Sequence, residues 1–135
     1  MKIKPESKRK ILLIHYVITT MVIFGFQNWT EKGIHPNSPI VYAFLCPVLF
    51  FGIRFNLVFK ISEYVETKYP ELMKKNTLGS TGFRASTINL FGINKKEFWA
   101  KNDDHMNHLI KTHSFVTTMV FVSFITLVLL SIVMI

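Results

Sequence analysis

The sequence predicts an all-α integral membrane protein with three transmembrane helices and an amphipathic cytoplasmic loop region, and three observations support this class. Residues 115 to 135 contain no charged residue, glycine or proline. Half of the 135 residues are apolar and only 18% are charged. Most of the sixteen lysines and arginines lie outside the apolar stretches. A soluble domain of this length would interrupt its apolar residues periodically and would not collect them in uncharged blocks.

The first apolar stretch, residues 11 to 26, follows a segment with five lysines and arginines and one glutamate. This order is similar to that of a signal peptide, but no small-residue cleavage site follows. We therefore predict a retained first span over about residues 11–29, with Trp29 at the membrane interface. A cleaved signal peptide is the alternative. Residues 30 to 38 are rich in turn formers and predict a short outer turn.

The second span is predicted over about residues 39–61. Pro39 suits the first position of a helix, whereas Pro47 should kink it, because proline lacks the N–H and its ring clashes with the preceding turn. The helix can continue past Arg54 and Lys60, since long basic side chains near a helix end reach the headgroups.

A cytoplasmic loop is predicted over about residues 62–114. Its first part continues the second helix as an amphipathic extension that ends at Tyr69, because a residue before proline avoids the helical region. Pro70 then starts a short helix through Lys75. Residues 83 to 102 mix apolar and basic side chains, which predicts short helices on the membrane surface.

The third span is predicted over about residues 115–135. Twenty-one helical residues extend roughly 30 Å, which matches the hydrocarbon core of a bilayer. Its serines and threonines can return their hydroxyl groups to backbone carbonyls of the preceding turn. Asn102, Asp103 and Asp104 offer caps for a helix that continues without a break into this span.

The basic residues predict the orientation. Five precede the first span, ten lie between Arg54 and Lys111, and one, Lys32, lies in the first turn. Basic residues beside short loops stay on the cytoplasmic side. We therefore expect an integral membrane protein with its amino terminus and loop region in the cytoplasm and Ile135 outside.

Anionic lipid headgroups are the expected partners of the basic segments, and the net charge of +8 is not attributed to nucleic-acid binding. A further membrane protein, or a second copy of the chain, is the other expected partner. The residues predicted to anchor the helices at the interface are basic or tryptophan: Arg54, Lys60, Trp29, Trp99, Lys95 and Lys96.

No catalytic residue and no cofactor is predicted. Asp104, His105 and His108 have a spacing that could bring two imidazoles and a carboxylate to one helix face, as for zinc. A capped helix start near the headgroups is the preferred interpretation, because no second ligand set occurs. His15 in the first span is a second candidate for a polar role, although it lies only about one turn deep. The single cysteine, Cys46, excludes an internal disulfide.

The last eighty residues contain three motifs: Tyr69-Pro70-Glu71-Leu72 at a helix end, the loop from Gly79 to Phe83, and an aspartate that opens the last helix. Together they resemble the motifs of small bacterial inner-membrane proteins related to universal stress protein B. The resemblance implies a small bacterial inner-membrane protein that is linked to stress and has no known activity.

A second resemblance is to immunity proteins against pore-forming bacteriocins, which are also basic and of this length. The Leu45-Cys46-Pro47 step and the basic loop carry it. We therefore expect a non-enzymatic membrane protein that acts through helix or lipid contacts, as a stress-related factor or an accessory subunit, with bacteriocin immunity as the alternative.

Overall fold

The computed structural model describes residues 5–29, 38–76 and 101–133, and the described residues contain helices and no strand. The all-α prediction is confirmed for this part of the chain. In chain order, the helices are α1 (Pro5–Trp29), α2 (Ser38–Ala43), a π-helical turn (Phe44–Val48), α3 (Leu49–Lys68), α4 (Pro70–Asn76) and α5 (Asp104–Val133).

Helix α3 ends where the sequence predicts. Tyr69 is the one residue between α3 and α4, and Pro70 begins α4. The Tyr69 N–H still donates to the Val65 carbonyl (2.7 Å), whereas its own carbonyl accepts from the N–H groups of Leu72 and Met73. One residue therefore closes the last turn of one helix and opens the first turn of the next.

The sequence predicts a kink at Pro47, and the structure shows a π-helical turn there. Pro47 lies inside the π-helical turn Phe44–Val48, which directly joins α2 to α3. Proline cannot donate the usual i to i−4 hydrogen bond, and a wider turn accommodates the missing donor. The chain from Ser38 to Lys68 therefore stays helical through the proline.

Two helical stretches are long and apolar enough to cross a membrane, judged by length and composition. They are Ser38–Lys68, with 31 residues, and Asp104–Ile132, with 29. Only 22% and 28% of their most apolar windows are buried, whereas a core helix of a soluble protein would be mostly buried.

The chain divides into two compact units. The terminal unit comprises Met1–Gly52 and Phe115–Ile135, and the middle unit comprises Ile53–Ser114. The middle unit contains a hydrophobic cluster of Ile61, Val65, Leu72, Met73, Met106 and Ile110. The terminal unit buries Tyr42, Cys46, Phe50 and Val116 completely.

Candidate functional site

The outside of the terminal unit is apolar. Residues on the exposed faces of α1, α2, α3 and α5 reach exposures such as 69% for Met21 and 66% for Phe44. The large exposed apolar residues of the terminal unit are Ile11, Leu13, Ile14, Val17, Ile18, Met21, Val22, Ile40, Val41, Phe44, Leu45, Val48, Leu49, Phe51, Phe121, Phe124, Ile125, Val128, Leu129 and Ile132. So many large exposed apolar side chains are typical of a surface that contacts lipid or another protein.

Polar side chains of the terminal unit meet one another between the helices. The hydroxyl groups of Tyr16 on α1 and Thr126 on α5 lie 2.7 Å apart. Thr126 donates its single hydroxyl hydrogen to the Val122 carbonyl at 3.0 Å, so Tyr16 is the donor of the interhelical bond. This bond joins two apolar stretches that are 110 residues apart in the sequence.

Helix α1 also contacts the chain around the π-helical turn. The Nε2 atom of His15 lies 2.9 Å from the Leu45 carbonyl oxygen and donates to it, since a carbonyl can only accept. The rings of His15 and Phe50 meet edge to face, with centroids 6.2 Å apart. Further along, Thr20 and Tyr42 approach at 3.5 Å between their hydroxyl oxygens. Where a proline disturbs a helix in an apolar environment, polar side chains of neighbouring helices commonly form hydrogen bonds with the backbone groups that lose their partners.

The most concentrated polar cluster of the middle unit is built around the carboxylate of Asp103. Its Oδ2 atom accepts hydrogen bonds from Tyr64 (2.8 Å), Lys68 (2.8 Å) and Tyr69 (2.9 Å). Its Oδ1 atom accepts from the backbone N–H groups of His105 and Met106 and so caps the start of α5. Asp103 thus ties the end of α3 and the residue after it to the first turn of α5.

The surroundings of Asp103 strongly favour its charged form. The hydrogen bond from the Lys68 ammonium is the largest cause that holds the pKa of the carboxyl well below its usual range. Burial opposes this effect, and the donors at Met106, Tyr64 and Tyr69 add to it. The same carboxylate raises the pKa of Tyr69, because the phenol donates to it. Asp103 is therefore an ionised anchor at neutral pH.

Of the six anchor residues predicted from the sequence, the structure describes the side chains of Arg54 and Lys60. Arg54 is half-buried and Lys60 is exposed, both on α3. The structure does not describe the side chain of Trp29. Lys95, Lys96 and Trp99 lie outside the described residues.

Asp104, His105 and His108, for which the sequence favours a capped helix start over a metal site, lie in the first two turns of α5. His105 packs its ring against Tyr64, with centroids 4.8 Å apart, and His108 is half-buried with a buried Nδ1 atom. Within the described ranges, no three side chains of His, Cys, Asp or Glu gather in a way that could hold a metal ion.

The local sequence predicts Asp103 as a cap but does not predict the three side chains that meet on its other oxygen. A usable signal exists for two of them, because Tyr64 and Lys68 are four residues apart and share a helix face. No local pattern identifies Tyr16 as the partner of Thr126.

Comparison with known proteins gives no relative for this chain: no family model, no curated protein and no solved structure matches it. The two family resemblances seen in the sequence therefore stay predictions, and the function has to be argued from the geometry of the two units.

Proposed function

We propose that this chain is a small, non-enzymatic integral membrane protein that crosses the bilayer three times and acts through lateral contacts of its helices, as an accessory subunit of a membrane complex. One observation carries the proposal. The terminal unit exposes apolar side chains on α1, α2, α3 and α5, and it pairs hydroxyl groups of different helices with one another.

This arrangement suits a hydrocarbon solvent. Lipid tails offer no hydrogen-bond partner, so polar side chains of spanning helices turn toward neighbouring helices. Water would impose the reverse arrangement, because large exposed apolar patches are unfavourable there. The contacts of Tyr16 and His15 on α1 with α5 and with the π-helical turn favour a first span that stays packed in the membrane.

The orientation proposed from the basic residues agrees with the character of the middle unit. Its exposed residues include Lys60, Glu63, Lys74, Lys101 and Lys111. Charged groups of this kind favour a headgroup or aqueous environment, and the excess of basic residues favours the cytoplasmic side. The amino terminus lies on the same side in a protein of three spans.

Topology mapping tests the proposal. Cys46→Ser provides a background without cysteine, and single cysteines replace Ser7, Lys32 or Lys74. A membrane-impermeant maleimide applied to intact cells should label position 32 alone, and permeabilised cells should label all three. Labelling of positions 7 and 32 from the same side would contradict a spanning α1, and extraction of the protein by alkaline carbonate would contradict membrane integration.

A tagged chain tests the accessory role. Cross-linking in native membranes, extraction in a mild detergent and mass spectrometry should recover one membrane protein in a stoichiometric amount. The exposed Phe121 and Phe124 offer sites for photo-cross-linkers, with Thr67 on the polar surface of α3 as the matched control. Recovery of this chain alone from all three positions would contradict the subunit role.

A further inference from the structure

An open cavity of about 280 Å³ lies in the terminal unit where charged sequence changes to apolar sequence. Its walls are Arg9, Lys10 and Leu13 of α1 and Phe115 of α5. The first apolar stretch begins directly after Lys10, and the last one begins at Phe115. The cavity therefore combines two cationic groups with two apolar groups at the polar end of two predicted spans.

The side chains that the structure describes offer no partner to either cation. Neither Arg9 nor Lys10 forms an ion pair or a hydrogen bond with one of them. Arg9 is half-buried, whereas its neighbour Lys8 is exposed and does not line the cavity. A guanidinium presents a planar fork that fits two oxygens of a phosphate, and an ammonium adds a point charge.

We infer that this cavity binds the phosphate of an anionic glycerophospholipid, with Arg9 and Lys10 on the phosphate and with Leu13 and Phe115 against the start of the acyl chains. The apolar walls decide for a lipid over free phosphate, because a small hydrated anion gains nothing from a leucine and a phenylalanine. The inference rests on the proposed membrane location and adds a specific lipid site to it.

Lipid binding to the purified full chain tests the inference. The protein is held in an uncharged detergent, and phosphatidylglycerol or phosphatidylcholine is titrated while native mass spectrometry counts the bound lipids. The variants are Arg9→Gln, Arg9→Lys and Lys8→Gln. Lys8→Gln is the matched control, since it removes the same charge one residue away from the cavity.

If the cavity binds an anionic lipid specifically, the unaltered chain should bind phosphatidylglycerol clearly more tightly than phosphatidylcholine. Arg9→Gln should weaken phosphatidylglycerol binding about tenfold or more, because a charge-assisted contact with phosphate is lost. Arg9→Lys should weaken it by about threefold, since the charge stays and the fork is lost. Lys8→Gln should change it less than about twofold. Circular dichroism spectra that match the unaltered chain would show that the variants fold.

Three results would overturn the inference: equal binding of the two lipids, equal losses in Arg9→Gln and Lys8→Gln, or displacement of phosphatidylglycerol by glycerol phosphate at a similar concentration. The last result would assign the site to a free phosphate compound. Alkaline carbonate extraction of the native membranes from which each variant is purified separates the two proposals. A chain that stays in the membrane but fails to discriminate the lipids contradicts the lipid site alone, whereas a chain that is extracted contradicts the membrane location as well.

Discussion

Apolar side chains lie on the outside of the terminal unit and on the inside of the middle unit. In the terminal unit, exposed valine, isoleucine, leucine and phenylalanine cover every described helix. In the middle unit, Ile61, Val65, Met106 and Ile110 pack together, and Phe55 is the one large apolar residue that is exposed among those described. The difference supports the proposed membrane location of the terminal unit, in which lipid or another protein covers its apolar side chains.

The two units also differ in the charge of the side chains that make their polar contacts. The terminal unit uses a neutral pair, Tyr16 with Thr126. The middle unit uses a charged pair, Lys68 with Asp103, at 2.8 Å. Neutral hydrogen bonds avoid the cost of placing a charge in hydrocarbon, and this cost is absent where water or headgroups are near.

The largest expected effect comes from the core of the middle unit. Met106 is fully buried in the hydrophobic cluster, so Met106→Ala should lower the free energy of unfolding by about 2–5 kcal/mol. Met21 is 69% exposed on the outside of the terminal unit, so Met21→Ala should change it by less than about 0.5 kcal/mol. Unfolding in mild detergent, followed by circular dichroism, measures both. Similar losses in the two variants would contradict the difference between the units.

A charged residue on the apolar exterior of the terminal unit tests directly whether this face contacts lipid. Ile125 is 61% exposed near the middle of the last predicted span, and Ile125→Lys should oppose insertion by about 2.5–3.5 kcal/mol. The inserted fraction in a glycosylation-based insertion assay measures this cost. Thr67→Lys on the polar surface of α3 is the matched control and should leave insertion unchanged. An Ile125→Lys chain that inserts like the control would show that this face does not meet lipid.

Loss of the Asp103 cap is expected to have an intermediate effect. Asp103→Ala removes the acceptor of two backbone N–H groups and should cost about 0.5–2 kcal/mol of stability. Asp103→Asn keeps an oxygen for the cap and should cost less. Hydrogen exchange at the start of α5 would detect the change. The exposed neighbour Asp104 is the matched control, and an equal effect of Asp104→Ala would contradict the special role of Asp103.

The same carboxylate predicts the pH dependence of the middle unit. Because its pKa is lower in the folded chain, its contribution is fully present above the unfolded pKa of about 3.9 and is lost as the pH falls through the lower folded value. The contribution of Asp103 should therefore be constant between about pH 5 and pH 8 and fall below about pH 4. Asp103→Asn should reduce this acid-side loss, and an unchanged loss would assign it to other groups.

The smallest expected effect concerns the bond between Tyr16 and Thr126. A double-mutant cycle of Tyr16→Phe and Thr126→Val should give a coupling energy of about 0.6 kcal/mol, which is typical of hydrogen bonds between spanning helices. Ser131 bonds to the Leu127 carbonyl within its own helix, so a cycle of Tyr16→Phe with Ser131→Ala should give none. Coupling in the control cycle, or none between Tyr16 and Thr126, would contradict direct pairing.

Local rules predicted most of the helix pattern. The break at Tyr69, the helix that starts at Pro70 and the uninterrupted helix from Asp104 all follow from proline sterics and capping chemistry, and the structure confirms them. Ser123, Thr126 and Ser131 return their hydroxyl groups to the preceding turn as expected. Each of these features depends on residues within about four positions of one another.

Contacts between distant residues could not be predicted in this way. Tyr64, Lys68 and Tyr69 reach Asp103 across 34 to 39 residues. His15 reaches the Leu45 carbonyl across 30 residues. Pro47 predicts a disturbed helix but not which other helix contacts that part of the chain. The cavity beside Arg9 likewise needs Phe115 from the other end of the chain.

The helical class, the helix ends around Tyr69 and Pro70, and the location of the apolar stretches follow from the sequence, because these depend on backbone sterics and on composition over one or two helical turns. The folded chain alone shows which apolar faces turn outward and which polar groups meet. Those outcomes depend on how whole helices pack, and a hydroxyl or carboxylate has many equally suitable partners along the chain until packing selects one.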